Sequence, residues 1–200
     1  MGLKPEYPPG ATPLDPDDAA RLIPSHIVTQ GQLNEWEFEN VADGRTWAFS
    51  RKRRNALTAE FARELHRRMF RRTWKWAGAF RTTETNPGID PASIAVELRK
   101  LFDDVSYQTE KKSLPLDEIA ARFHHRLTQI HPFPNGNGRH ARLMTDILLK
   151  ENRGEPFDWG NTDLVAASEV RDRYISALRA ADARDPTQLF KFVRSGSKQE

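Results

Sequence analysis

Apolar residues recur at helical spacing through most of this chain. Phe61, Leu65, Met69, Phe70 and Trp74 follow a period close to 3.6. Thr58 stands where an N-cap belongs and Gly78 where a helix stops, so a helix from Thr58 to about Trp76 is expected. Ile94, Leu98, Leu101, Phe102 and Val105 predict another from Pro91 to about Tyr107. Leu116, Ile119, Ala120, Phe123, Leu127 and Ile130 mark a third. It ends at His131-Pro132, because proline disfavours helical geometry in the residue before it. Arg139 to Asn152 carries Leu143, Ile147 and Leu148 inward. A helix capped by Asn161 or Thr162 runs to about Asp182 on Val165, Val170, Tyr174 and Leu178, and Asp185-Pro186 opens a short last one through Phe190 and Val193.

The remaining segments read less regularly. Residues 26–40 hold a short helix, with Leu33, Trp36 and Glu37 at helical spacing, and Asp43-Gly44 is a turn signal. Trp47-Ala48-Phe49 reads as a short strand or a helix start. Residues 79–91, with Phe80, Thr82, Thr83, Thr85 and Asn86-Pro87-Gly88, read as a β-hairpin or an irregular loop. Residues 1–24 form an extended arm punctuated by Pro5, Pro8, Pro9, Pro13, Pro16 and Pro24. The division is an arm at 1–24, one domain at 25–194 and a flexible polar tail at 195–200. The class is mostly α with one small β element.

Composition narrows the function. A chain of 200 residues fits one domain with a real core. Net charge is +3 from 31 basic and 28 acidic residues, so the surface is mixed in sign and nucleic acid is an unlikely partner. The absence of cysteine excludes disulfides, thiolate nucleophiles and cysteine zinc sites. No apolar run approaches the ~20 residues needed to span a bilayer. Met1 to Pro24 lacks the apolar centre of a signal peptide, so a cytoplasmic protein without a membrane partner is the expectation.

The chemistry concentrates in His131-Pro132-Phe133-Pro134-Asn135-Gly136-Asn137-Gly138-Arg139-His140-Ala141-Arg142. Two prolines stiffen the entry, and two glycines flank Asn137 where the backbone turns tightly or meets a ligand. A helix follows at once, and free amides at a helix N-terminus after a glycine-rich turn suit an anion. Arg139 and Arg142, three residues apart, reach one face from the first turn, and guanidinium groups match phosphate oxygens. His131 at the other end is able to accept a proton at neutral pH. A base beside a triphosphate cradle is what hydroxyl attack on phosphorus requires.

These residues resemble the signature of the Fic family, H-x-F-x-[D/E]-G-N-G-R-x-x-R, at every specified position except Asn135. Leu65-His66, Trp76-Ala77-Gly78 and Phe80-Arg81 resemble that family's helix and following flap, and the likeness covers roughly residues 30–190. The chain is also similar to the bacterial branch called mobile mystery protein B. The resemblance implies a helical bundle with a small β-hairpin flap. It implies ATP as co-substrate, Mg²⁺, and transfer of AMP to a Ser, Thr or Tyr hydroxyl of a target protein. His131 would be the base and Phe133 the structural anchor. Gly136, Asn137 and Gly138 would cradle phosphates that Arg139 and Arg142 orient. Arg81, Thr82, Thr83, Glu84 and Thr85 would form the target-binding flap.

Asn135 stands where the family carries a carboxylate for Mg²⁺. An amide oxygen coordinates without a charge, which weakens the site and leaves phosphotransfer from the same loop as an alternative. A catalytically silent nucleotide- or DNA-binding regulator is the other alternative. It would use Arg51-Lys52-Arg53-Arg54 and Arg67, Arg68, Arg71 and Arg72, although solvated helix faces explain these better. Residues 26–40 also resemble the family's inhibitory helix, with Glu39 expected to pair with Arg142. A regulatory partner protein is a further implication of the likeness. His124 and His125 read as packing or surface residues and His140 as facing solvent or a neighbour. Trp74 and Trp76 read as core and flap support.

Overall fold

The computed structural model describes residues 13–50, 55–161, 164 and 168–197. It is mostly helical. The helices are α1 (Pro16–Ala19), α2 (Gln30–Phe49), α3 (Ala59–Phe70), α4 (Ile94–Lys111), α5 (Leu116–Ile130), α6 (Asn137–Glu151), α7 (Glu169–Asp182) and α8 (Thr187–Phe192). Helix α2 packs on α3, α4 on α5, α5 on α6, and α7 on α8. Leu65, Met69, Phe70, Phe123, Leu127, Ile130 and Met144 fill the space between them. No helix among the described residues is long and apolar enough to cross a membrane.

The strongly periodic helices form where the pattern places them. Thr58 caps α3 by accepting a hydrogen bond from the Phe61 amide. That helix stops at Phe70, earlier than expected. The chain turns from Arg71 onwards, with the Trp74 amide bonded to the Phe70 carbonyl, and Trp74 and Trp76 pack inward from the turn. Helix α7 begins at Glu169 under a Ser168 cap rather than at Asn161 or Thr162; Thr162 and Val165 lie outside the described residues.

Helix α2 departs most from expectation. It continues through Asp43-Gly44 and ends after Trp47-Ala48-Phe49, which is neither a turn nor a strand. Its buried positions are Leu33, Glu37, Asn40, Gly44 and Ala48. The spacing is helical, but three of the inward residues are polar or glycine, so the apolar pattern fades halfway. A Cβ on Gly44 would stand 2.6 Å from Met69 Cγ. The glycine that resembled a turn lets two helices approach closely.

Residues 13–24 of the arm are not extended. Residues 16–19 form α1, Leu14 is buried, and Leu22 pairs with Trp74 in an isolated antiparallel bridge. The arm's residues 1–12 and the tail's residues 198–200 lie outside the described residues, while residues 195–197 form a short turn. The expected hairpin flap is also absent. Residues 79–90 carry no strand and follow an irregular path. Arg81 explains this: its side chain takes the carbonyls of Thr83 and Ile89, where a hairpin would pair them across a ladder.

Candidate functional site

The site is the junction between α5 and α6. His131 is the C-cap of α5 in the left-handed region (φ 52°), a conformation that costs a non-glycine residue about 1 kcal/mol. Gly136, also left-handed (φ 77°), is the N-cap of α6 and offers no side chain to its first amides. A Cβ there would come within 2.5 Å of the Phe70 ring, so the turn needs glycine for two reasons. Over Gly138 the space is open: a Cβ would meet only Arg142 Nη1, at 3.7 Å. The first-turn amides of α6 thus open beside a guanidinium.

Three residues hold the loop between these ends. Asn137 is buried; its Nδ2 donates to the Phe133 carbonyl (2.7 Å) and its Oδ1 accepts from the Phe133 amide (2.9 Å). The side-chain amide is thus committed to bracing the loop, and its backbone is left for a ligand. Phe133 is fully buried and stacks on His66 with ring centroids 3.8 Å apart. His66 Nδ1 accepts from the Gly78 amide (3.0 Å), so its Nε2 carries the proton and donates to the Asn135 carbonyl (3.0 Å). Burial and nearby His140 and Arg139 hold its pKa well below the ordinary value, so this link stays neutral.

The His131 ring is partly buried. Its Nδ1 lies 3.3 Å from the Thr128 carbonyl, which selects the tautomer with the lone pair on Nε2. Burial first, and the Arg81 cation after it, lower its pKa to about 4 against the Thr128 bond. The ring is neutral at pH 7 and can accept a proton.

The two motif arginines have different partners. Arg139 lies over the Phe70 ring (4.9 Å), and its Nη2 pairs with Glu37 Oε2 at 2.7 Å. The other oxygen of Glu37 accepts from Trp74 Nε1 (2.7 Å). Arg142 lies over the Tyr174 ring (5.8 Å) and has no ion pair among the described residues. Tyr174 bonds buried His124 at 2.8 Å. The guanidinium of Arg142 folds back to Gly138, and Arg139 stays beside the Phe70 ring that covers Gly136.

Other expectations change in place. Glu39 is exposed and makes no pair with Arg142; Glu37, two residues earlier, is the carboxylate that α2 turns inward. Arg81 is only 2% exposed and faces the interior, so of the flap residues only Thr82, Thr83, Glu84 and Thr85 remain on or near the surface. His140 is fully buried, with Nε2 on the Ala62 carbonyl. His124 is core, and His125 pairs with Asp182 at the surface.

Asn135 donates no negative charge, and its Oδ1 accepts from the Gly136 amide. No cluster of three His, Asp or Glu residues forms a metal site among the described residues. The residues present therefore do not make a Mg²⁺ site on their own. On α3, Arg67 and Arg68 pair with Glu64, and Arg72 pairs with Asp43, so these guanidinium groups are compensated locally. Arg51–Arg54 lie outside the described residues.

Sequence reasoning named His66, Glu37, Arg81 and Tyr174 but missed what they do at the site: His66 under Phe133, Glu37 on Arg139, Arg81 as a strut and Tyr174 beside Arg142. One signal existed for His66: it falls on the buried stripe of α3, between Leu65 and Met69, where a polar residue needs partners.

Residues 56–149 match the model of the Fic/DOC family. The protein adenylyltransferase fic-1 of Caenorhabditis elegans is 28% identical over 151 residues, which is 74% of this chain and 28% of that protein. The protein adenylyltransferase Fic of Nematostella vectensis is 28% identical over 142 residues, 69% of this chain and 32% of that protein. The chain thus spans under a third of these curated relatives. Among solved structures, the N-terminal Fic domain of a VirB-translocated Bep effector from Bartonella quintana superposes with a TM-score of 0.70 at 21% identity, covering 85% of this chain and 84% of that one. BepC from Bartonella tribocorum, solved with AMPPNP bound, gives 0.66 at 21% identity, covering 83% and 86%.

Proposed function

We propose, from the premise that residues 56–149 form a Fic/DOC family domain, that this chain transfers AMP from ATP to a hydroxyl side chain of a target protein. The relatives named protein adenylyltransferases and the AMPPNP bound to BepC support the reading. The observation that carries it is the loop itself. A neutral imidazole with a free Nε2 and an uncapped helix N-terminus stand at the two ends of one braced six-residue turn.

The residues take these roles. The Gly136–Asn137–Gly138 turn cradles phosphate oxygens through the first-turn amides of α6 at Asn137 and Gly138, while the Gly136 amide is held by Asn135 Oδ1. Arg142 and Arg139 take the terminal phosphates. His131 Nε2 removes the proton of a Ser, Thr or Tyr hydroxyl held along residues 82–85. The hydroxyl oxygen bonds to the α-phosphorus, the bond to the β-phosphate oxygen breaks, and pyrophosphate leaves. The low pKa of His131 makes it a weak base in the free protein, and the charge of an arriving triphosphate raises it. Mg²⁺ would come as the nucleotide's own complex, with Asn135 at most a neutral neighbour. The chain is taken to be a bacterial, cytoplasmic protein of the mobile mystery protein B branch, under a regulatory partner.

Asn135 motivates the second reading, phosphotransfer from the same loop. Parallel incubations with α-labelled and γ-labelled ATP decide. Label from the α position on protein, abolished by His131→Ala, is expected; transfer of the γ label alone would overturn adenylylation.

A further inference from the structure

Arg81 is a buried cation with no carboxylate at ion-pair distance among the described residues. Its Nε donates to the His131 carbonyl (2.6 Å), Nη2 to the carbonyls of Ile130 (3.3 Å) and Ile89, and Nη1 to that of Thr83 (2.7 Å). Its amide donates to the Pro132 carbonyl (2.9 Å). The carbonyls of Ile130 and His131 end α5 and lack helical partners. Those of Thr83 and Ile89 close the neck of the exposed loop between them. Four acceptors from two segments converge on one planar fork, which a lysine ammonium, with three donors, does not reproduce.

We infer that Arg81 is a positioning residue that ties the backbone of the base to the 83–89 loop, so that the seat of His131 and the shape of that loop are set together. The consequence for transfer rests on the adenylylation reading: a target laid along residues 82–85 would adjust the base through this strut. Gly88 is the second observation. A Cβ on it would stand 2.8 Å from Arg81 Nη2 and 2.3 Å from Thr85 Oγ1, so the loop carries glycine where the guanidinium lies. The charged groups acting on Arg81 are Asp90 and Glu84, both from the loop side. On His131 the acting groups are Arg81 and the Thr128 carbonyl. The strut is therefore the charged link between loop and ring.

The test uses the labelled full chain without nucleotide. Amide exchange and the His131 ring resonances are followed in wild type, Arg81→Lys, Arg81→Gln and Gly88→Ala, with exchange in α4 as the control for folding. Arg81→Lys is expected to speed exchange by at least tenfold in both 83–89 and 131–133, and little in α4. Gly88→Ala, placed in the loop alone, is expected to shift the His131 ring and speed exchange beside it. In the Arg81→Lys background Gly88→Ala should no longer affect the ring. Arg81→Gln removes the cation and should raise the ring's pKa from about 4, while Arg81→Lys leaves it low. Gly88→Ala effects confined to 83–89, or Arg81→Lys exchange unchanged at 131–133, would overturn the strut. None of these readouts needs turnover. Failure of wild type to transfer AMP would defeat the adenylylation reading and leave the coupling standing.

Discussion

Arg139 and Arg142 of α6 carry the same side chain into different electrostatic surroundings. Arg139 is sandwiched between the Phe70 ring and the Glu37 carboxylate, with its charge already neutralised. Arg142 lies over Tyr174 with no carboxylate at ion-pair distance among the described residues. A motif read along the chain treats the pair as equivalent. The surrounding helices do not: α2 brings a buried acid to one arginine, and α7 brings a phenol to the other. Arg142 bonds the Tyr174 hydroxyl, whereas Arg139 shares its charge with Glu37. On the proposed function, Arg142 would be the readier of the two to meet a phosphate, and Arg139 would also serve to neutralise buried Glu37.

The largest expected effect separates the two by stability. Arg139→Ala strands Glu37 as a buried unpaired acid and should cost about 3–5 kcal/mol in denaturant unfolding. Arg142→Ala should cost under about 1 kcal/mol. Equal losses would break the comparison.

Acid should weaken the surroundings of both arginines next. His66 sits near Arg139 and His124 near Arg142, and burial keeps both neutral. His124, His131 and His140 titrate at about 3, 4 and 4 in the folded chain, below the ordinary 6.5. The unfolded chain binds the extra protons, so this stability is complete above pH 6.5 and is lost as pH falls towards 4, by several kcal/mol in total. Asp146, raised by burial to about 6, acts with the opposite sign and offsets part of the loss as pH falls through 6. An unfolding midpoint that stays flat from pH 6.5 to 4 would contradict the neutral-histidine picture.

Nucleotide affinity sharpens the contrast further. Loss of charge-assisted bonds, worth about 1.5–3 kcal/mol, means that Arg142→Ala should weaken ATP binding by about tenfold to a hundredfold in calorimetry. Glu37→Gln should strengthen it by up to about tenfold, by releasing Arg139 for phosphate. Weaker binding in Glu37→Gln would instead make the carboxylate a support for the arginine. The smallest effect belongs to Glu39→Gly, which should leave affinity unchanged, because that side chain is exposed.

Local pattern placed α4, α5 and α6 because their apolar stripes are continuous, although α4 starts at Ile94 and runs past Tyr107 to Lys111, where no proline or glycine marks its end. The loop His131–Arg142 was legible too. Left-handed turns, a helix start and cationic side chains depend on residue type and spacing over a dozen positions. Helix α2 was not legible beyond its first half, since Glu37, Asn40 and Gly44 occupy its buried face. Their burial makes sense only once Trp74, Arg139 and Met69 stand opposite.

Sequence alone therefore determined the helical class, the bundle's better-patterned helices and the loop that joins an imidazole to an amide-rich turn. Tertiary structure alone decided which partners complete that loop: Glu37 for Arg139, Tyr174 beside Arg142, His66 under Phe133, and Arg81 behind His131. The reason is physical. Periodicity and turn chemistry act between neighbours in the chain, whereas the neutralisation of a buried charge depends on groups far away in sequence that packing alone brings close.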